Sequence, residues 1–207
     1  MTLTEPQASK IAMPLLEIGG IRLRAVRDAD LPFLFDLSTS FETLHLWDDG
    51  QIETVEMQFV DVFKQKAHSR TFFIVESIAS NKGPCEPIGL AYLYSFEPIN
   101  GWAYYTIALL PSHVGRGSGH AASVLSIEWA FHSWSLHKLY VEILSENIAA
   151  IEVATCLGFE REARFRQHRR IAGERFDVEV LALNRQRWVS EFRSRAIERA
   201  VVKKARS

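Results

Sequence analysis

The sequence is short of several things, and each shortage narrows what the protein can be. There are only two cysteines, Cys85 and Cys156, far apart and outside any metal-type spacing, so neither a disulfide framework nor a zinc ribbon has its residues. Two free thiols in a reducing compartment are the expectation. With 11 glycines and 7 prolines, collagen-like and low-complexity chains are excluded. No apolar run reaches the length of about 18 residues that a membrane span needs. Near the start, Lys10 and the apolar Ile11 to Leu16, broken by Pro14, are too short for a secretory signal, and a cytoplasmic location is expected. Charge of one sign is lacking too. Lys plus Arg number 24 against 25 Asp plus Glu, a net charge of −1, so the whole molecule has no field that gathers nucleic acid or anionic membrane.

What remains is an ordinary globular composition, 47% hydrophobic, 11% aromatic and 24% charged, in 207 residues. A chain of this size should bury roughly 70% of the surface that its unfolded form exposes, enough for one core without staples. Residues 1–19 lack periodicity and read as a flexible lead-in, 20–186 as the domain, and 187–207 as a basic helical tail.

Alternation in Ile21 to Ala25 predicts a strand, and the spacing of Leu31, Leu34, Phe35 and Leu37 a helix. Residues 51–66 repeat the helical pattern. Thr71 to Ser77, Ile88 to Tyr94 and Gly101 to Leu110 read as an antiparallel meander, with Gly89 marking a bulge or a close backbone approach. A helix follows over 118–134, with Val124, Ile127, Phe131 and Trp134 as its stripe. Lys138 to Leu144 is a strand, and 149–157 a helix closed by Gly158. Phe159 to His168 and Arg175 to Leu183 pair around Ala172-Gly173, and the last 20 residues are helical. A strand, helix and strand in succession demand a parallel crossover, so the fold class is α/β, or mixed α+β, around one twisted sheet with helices on its faces.

The most informative stretch is Val114-Gly115-Arg116-Gly117-Ser118-Gly119-His120, between a strand and a helix. Glycine permits tight turns and close approach of a ligand to the backbone, and amides at a helix start suit a pyrophosphate. Arg116 adds a charge, and Ser118 or His120 a side-chain donor. The third glycine of a dinucleotide fingerprint is absent, as is the Gly-Lys-Ser/Thr of a P-loop. A plain strand-to-helix turn is the competing reading of these glycines.

Taken with two further segments, this stretch resembles the GNAT N-acetyltransferase superfamily, closest to its ribosomal-protein alanine and spermidine acetyltransferase subgroup. Leu109 to Ala122 is similar to the acetyl-CoA signature Q/R-x-x-G-x-G/A, and Asn147 to Ile151 with Leu157-Gly158-Phe159 to the segment N-x-x-A/S-I…L-G-F. The likeness implies a twisted, mostly antiparallel sheet of six to seven strands. A central parallel pair would splay around Leu109 and Leu144. Acetyl-CoA would be the co-substrate. The backbone from Val114 through Gly115, Arg116, Gly117, Ser118 and Gly119 to His120 would grip its pyrophosphate. Its pantetheine would pair with main chain near Ala108 to Leu110, Leu109 and Leu110 above all. Asn147 would contact the same arm, or cap the helix that starts beside it. Two positions depart from the pattern: Val114 replaces the usual Gln or Arg, and Ala154 replaces the tyrosine that often protonates the leaving thiolate.

Acetyl transfer needs a neutral amine, a donor for the thioester carbonyl and a proton route. Candidates are Glu142 as base, Tyr104 or its neighbour Tyr105 on the strand beside the acceptor, and, by the resemblance, His168. Glu97 is a weaker one. Each has a structural alternative: an exposed carboxylate, packing, or a strand-end histidine. Phe41, Trp47 and Phe59 line the acceptor cavity or belong to the core. The histidines show no metalloprotease spacing, so no metal is expected. The segment 185–206 carries eight basic residues against Glu191 and Glu198, a local charge of +6, read as a solvated helix or as an RNA contact.

The expectation is therefore direct acetyl transfer to a primary amine of a small molecule: an amino sugar, polyamine or amino acid derivative. No stretch stands out as acid-rich enough to single out a polyamine. A protein N-terminal alanine acetyltransferase and a non-catalytic acyl-CoA-binding module stay open, as does a homodimer. Neither a membrane nor a nucleic acid is expected as partner.

Overall fold

A computed structural model describes residues 15–40, 55–78, 85–171 and 173–204. Phe41 and Trp47 lie outside the described residues. Among the described residues eight strands form one sheet in the order β1-β2-β3-β4-β5-β6-β8-β7. They are β1 (Glu17–Ile18), β2 (Ile21–Ala25), β3 (Thr71–Ser77), β4 (Glu86–Glu97), β5 (Trp102–Leu109), β6 (Lys138–Leu144), β7 (Glu160–Ile171) and β8 (Glu174–Asn184). Every neighbouring pair is antiparallel except β5 and β6. One strand more is present than the six to seven expected: β1 lies inside the stretch read as lead-in and turns back on β2 through Ile18↔Ile21.

The central strands are buried on both faces, and alternation along β4 divides two cores. Tyr92 and Tyr94 face α1 (Leu31–Thr39) and α2 (Glu56–Lys66), with Leu34, Leu37, Phe59 and Phe63. Ala91 and Leu93 face α3 (Ser118–Ser133) and α4 (Ile148–Cys156). Phe59 is thus a core residue, beside Phe35 and Phe63. Gly89 is both a bulge and a close approach. The β3–β4 register shifts beside it, and a Cβ there would stand 2.2 Å from the Ala108 carbonyl oxygen.

Helix α3 carries the parallel crossover from β5 to β6. Small residues let it lie close on the sheet, and Ala121, Ala122, Val124, Leu125, Ile127, Ala130 and Phe131 are all buried. Trp134 falls just past the helix and stacks on Phe96 at 4.7 Å instead of joining the stripe.

The C-terminal segment is docked, not a free tail. It runs through α5 (Arg185–Arg187), a π-turn (Trp188–Phe192) and α6 (Arg193–Lys204). Trp188, Ala196 and Ala200 are buried in the α3-side core. Several of the basic side chains are engaged within the chain. Arg193 pairs with Glu128 at 2.8 Å, Arg187 with Glu160, and Arg195 reaches the Glu191 carbonyl at 2.9 Å. Those contacts fit the helix reading and take charge away from any RNA face. No helix among the described residues is long and apolar enough to cross a membrane.

Candidate active site

The site begins where a ladder stops. Parallel pairing of β5 with β6 runs Trp102↔Lys138, Ala103↔Leu139, Tyr104↔Tyr140 and then ends. Beyond that point β5 continues to Leu109 and β6 to Leu144, each still paired on its outer edge, Leu109 with Gly89 and Leu144 with Val178. The two strands therefore fork, at the place the sequence reading gave around Leu109 and Leu144. From Tyr104 to Leu109 the fork is about 17 Å long at ~3.3 Å per residue.

The inner edge of β5 offers only alternate peptide groups. Leu110 donates its amide to the Ile88 carbonyl at 2.8 Å, and Ala108 turns its carbonyl toward Gly89. Both face β4, so Leu109 and Ile107 present their N–H and C=O to the fork. Ala108 and Leu110, expected among the pantetheine contacts, are both turned to β4, and the Leu110 carbonyl accepts from His113 at 2.9 Å.

At the open end lies the glycine-rich turn. Gly115 and Gly117 have φ of 79° and 88°, the left-handed region in which L side chains are strained. Gly117 caps α3, whose first internal bond is donated by Ala121 to the Gly117 carbonyl at 3.0 Å. The amides of Ser118, Gly119 and His120 precede that bond and point off the helix end with its positive partial charge. Val114, Gly115 and Arg116 are exposed, so among the described residues no packed side chain shields that part of the turn. The Val114 amide is donated to the Pro111 carbonyl at 3.1 Å, so it does not join the amides at the helix start. The backbone thus fits a diphosphate at the turn and an extended arm along the fork. The His120 ring does not join them: it is buried and bonds the Ala196 carbonyl at 3.1 Å. Ser118 is buried as well. Asn147 caps α4 by accepting from the Ala150 amide at 3.1 Å, which is the capping alternative.

The closed end of the fork is aromatic and charged. Tyr104 stacks on Tyr140 at 5.2 Å, and Trp102 meets both edge-on at 6.0 Å. Tyr94 continues the row at 5.4 Å. Alternation puts Glu142 on the face of Tyr140. Burial, then the nearby Glu142 charge, push the Tyr104 hydroxyl above its ordinary pKa of 10.0. Arg169 donates to Glu142 at 2.9 Å. Tyr105 points the other way into the core against Ser123, and burial pushes its hydroxyl up to about 12. Of the candidates, then, Tyr104 and Glu142 share the closed end.

His168 is not brought there. It sits exposed in a bulge of β7, where the β7–β8 register shifts between Phe165 and Arg169, and its ring rests on Phe165 at 5.0 Å. The next residue, Arg169, is the one that reaches Glu142. The bulge is pinned by Asp177, which accepts from the Gln167 amide at 2.7 Å and pairs with Arg164 at 2.8 Å. Glu97 accepts from the Ile99 amide at 3.1 Å and serves its own turn. Ala154 is buried in the α3-side core. Sequence reasoning missed Tyr140 and Arg169. Tyr140 shares the parity of Glu142 in the same strand and was legible; Arg169 was not, because the bulge shifts its register. Among the described residues no group of three or more His, Cys, Asp and Glu could hold a metal ion.

Comparison with known proteins agrees with this layout. A family model described as an acetyltransferase (GNAT) domain matches residues 21–160. Spermidine N(1)-acetyltransferase of Vibrio cholerae is 23% identical over 172 residues, 82% of this chain and 96% of that one. The protein of the same name from Escherichia coli K12 is 23% identical over 176 residues, 84% and 91% of the two chains. The crystal structure of the V. cholerae spermidine N-acetyltransferase in complex with CoA and spermine superposes with a TM-score of 0.74 at 22% identity, covering 83% of this chain and 99% of that one. Its dodecameric structure gives 0.69 at 22%, covering 83% and 97%. The family match takes in both arms of the fork and the turn at its mouth, and on it the chain belongs to the GNAT acetyltransferase family, an N-acetyltransferase whose acetyl donor is acetyl-CoA.

Proposed function

We propose that this chain acetylates a primary amine of a polyamine, by direct attack on the thioester of acetyl-CoA lying in the fork. The observation that carries the reading is the end of β5–β6 pairing at Tyr104↔Tyr140, with the first turn of α3 at the mouth. Diphosphate bonded to Ser118, Gly119 and His120 amides would send the pantetheine inward along Ile107 and Leu109, which brings the thioester toward Tyr104. The attacking amine must be neutral, and Glu142 takes its proton through water. Tyr104, kept protonated by burial and by Glu142, donates to the departing thiolate in place of the tyrosine that Ala154 replaces. Asn147, with its carbonyl occupied by the cap, has its side-chain N–H left for the pantetheine arm.

A polyamine acceptor is supported by the spermidine N-acetyltransferase relatives. It is supported also by the segment 41–54, which carries Glu42, Asp48, Asp49 and Glu53 with no lysine or arginine. The expectation that no stretch stands out as acid-rich overlooked this local excess, which is spread between apolar and neutral residues. The same reading includes a homo-oligomer, since the relative forms a dodecamer, and a cytoplasmic location, where free thiols such as Cys85 and Cys156 persist.

The buried Ala154 favours one rival, a module that binds acyl-CoA without catalysis. A thiol-release assay over spermidine, spermine, an amino sugar and an alanine-starting peptide separates them. Release with spermidine or spermine supports the proposal. CoA binding with no acceptor-dependent release establishes the rival, and release with the peptide alone moves the acceptor to proteins.

A further inference from the structure

Helix α6 lies beyond the span that matches the family, yet it touches the phosphate turn. We infer that α6 is a positioning element for the CoA-binding turn, acting through the hydrogen bond from the His120 ring to the Ala196 carbonyl. This rests on the proposed grip of the α3 amides on a diphosphate. The carbonyl of Ala196 can only accept, so Nε2 of His120 carries the hydrogen and donates at 3.1 Å. His120 is the third residue of α3, and its backbone amide lies ahead of the helix's first internal bond, from Ala121 to Gly117. One residue thus carries a ring anchored on α6 and an amide in the turn proposed to grip the ligand.

The anchor itself is firm. Trp188 donates its indole N–H to Glu128 at 2.8 Å, and Arg193 pairs with the same carboxylate at 2.8 Å. Farther along, α6 presses on the β1–β2 turn so closely that a Cβ on Gly19 would stand 2.2 Å from the Ala200 carbonyl oxygen. Between these two fixed points lies Ala196. The first turn of a helix has the weakest internal hydrogen bonding, since its leading amides have no partner in the helix. A bond from its third side chain to a rigid neighbour holds that turn in the geometry that a diphosphate needs, and so lowers the ordering required on binding.

The test uses the full-length protein. His120→Leu removes the donor, while His120→Gln keeps an N–H near the same place. His120→Leu is expected to weaken CoA binding by about five-fold, one hydrogen bond's worth. KM for acetyl-CoA should rise likewise, with kcat at saturation unchanged and His120→Gln restoring the wild-type value. A general loss of structure would lower kcat and would not be rescued. Equal CoA affinity in wild type and His120→Leu overturns the inference, as does equal weakening in both variants. Wild-type protein that binds no CoA overturns instead the reading beneath it. A second measurement needs no variant. Because coupling is reciprocal, CoA added to wild-type protein must slow amide exchange over residues 193–200, and unaltered exchange there also overturns the inference.

Discussion

Tyr104 is the residue on which the proposed chemistry turns. Its hydroxyl sits above its ordinary pKa of 10.0 because burial and the Glu142 charge both disfavour the phenolate. The sign follows: the donor form persists through neutral pH, and the alkaline limb of kcat lies above pH 10. Replacing Tyr104 by Phe keeps the stack on Tyr140 and removes the donor. The expected result is a fall in kcat of about 100-fold, the lower end for a proton-transfer group, with the alkaline limb abolished and the unfolding midpoint unchanged. Steady-state kinetics across pH check it; an unaltered kcat removes Tyr104 from the mechanism. Single residues differ in how much of this was legible. Gly115 and Gly117 announce positive φ by being glycine, and Asn147 announces a cap by its place before Ile148. Leu110 and His120 could not be assigned in the same way. Their roles are set by Ile88 and Ala196, and partners so remote in sequence leave no local pattern.

Among the elements, β4 and β5 form the outer wall of the fork, and Gly89 fixes their spacing. Gly89→Ala would set a Cβ 2.2 Å from the Ala108 carbonyl oxygen, on a backbone that cannot yield without moving Leu109. A loss of about 1–3 kcal/mol is expected, together with weaker CoA binding because the inner edge of β5 moves too. Denaturant titration and calorimetry read the two effects. At the other wall the β7–β8 hairpin carries Arg169 to Glu142. There the Asp177 carboxyl is held below its ordinary 3.8 by the Gln167 amide and then by Arg164. A lowered carboxylate stabilises the folded form above its unfolded pKa, and that contribution is lost as pH falls through the folded value. The bulge should therefore loosen only in acid. Protection of the Gln167 amide, the intrinsic exchange rate over the observed one, should fall below about pH 4, and Asp177→Asn should lower it already at neutral pH. Alternation alone made both strands readable. The bulge at 166–168 was not, because an extra residue in a strand leaves the hydrophobic period almost intact on an edge that is mostly polar.

At the scale of the whole molecule, the boundary drawn at 186/187 separates residues that the structure packs together. Charge alone read 187–207 as a solvated helix; burial of Trp188, Ala196 and Ala200 shows why composition misled, since three apolar contacts are easily lost among seven basic residues. Glu128 is the joint. It receives both the Trp188 indole and the Arg193 guanidinium, and it is itself mostly covered, with a side chain 11% exposed. Glu128→Ala leaves the buried indole N–H without its acceptor, a loss of about 1–3 kcal/mol. If the helix is integral, far-UV circular dichroism and tryptophan fluorescence should still follow one coincident transition, at a lower denaturant midpoint than wild type. If 193–204 is an appendage, helical signal should be lost first and the remaining transition should keep the wild-type midpoint. A single shifted transition would place the C-terminal helix inside the same cooperative unit as the fork. The strand-and-helix core that defines the family would then be completed in this chain by a segment that the family match does not reach.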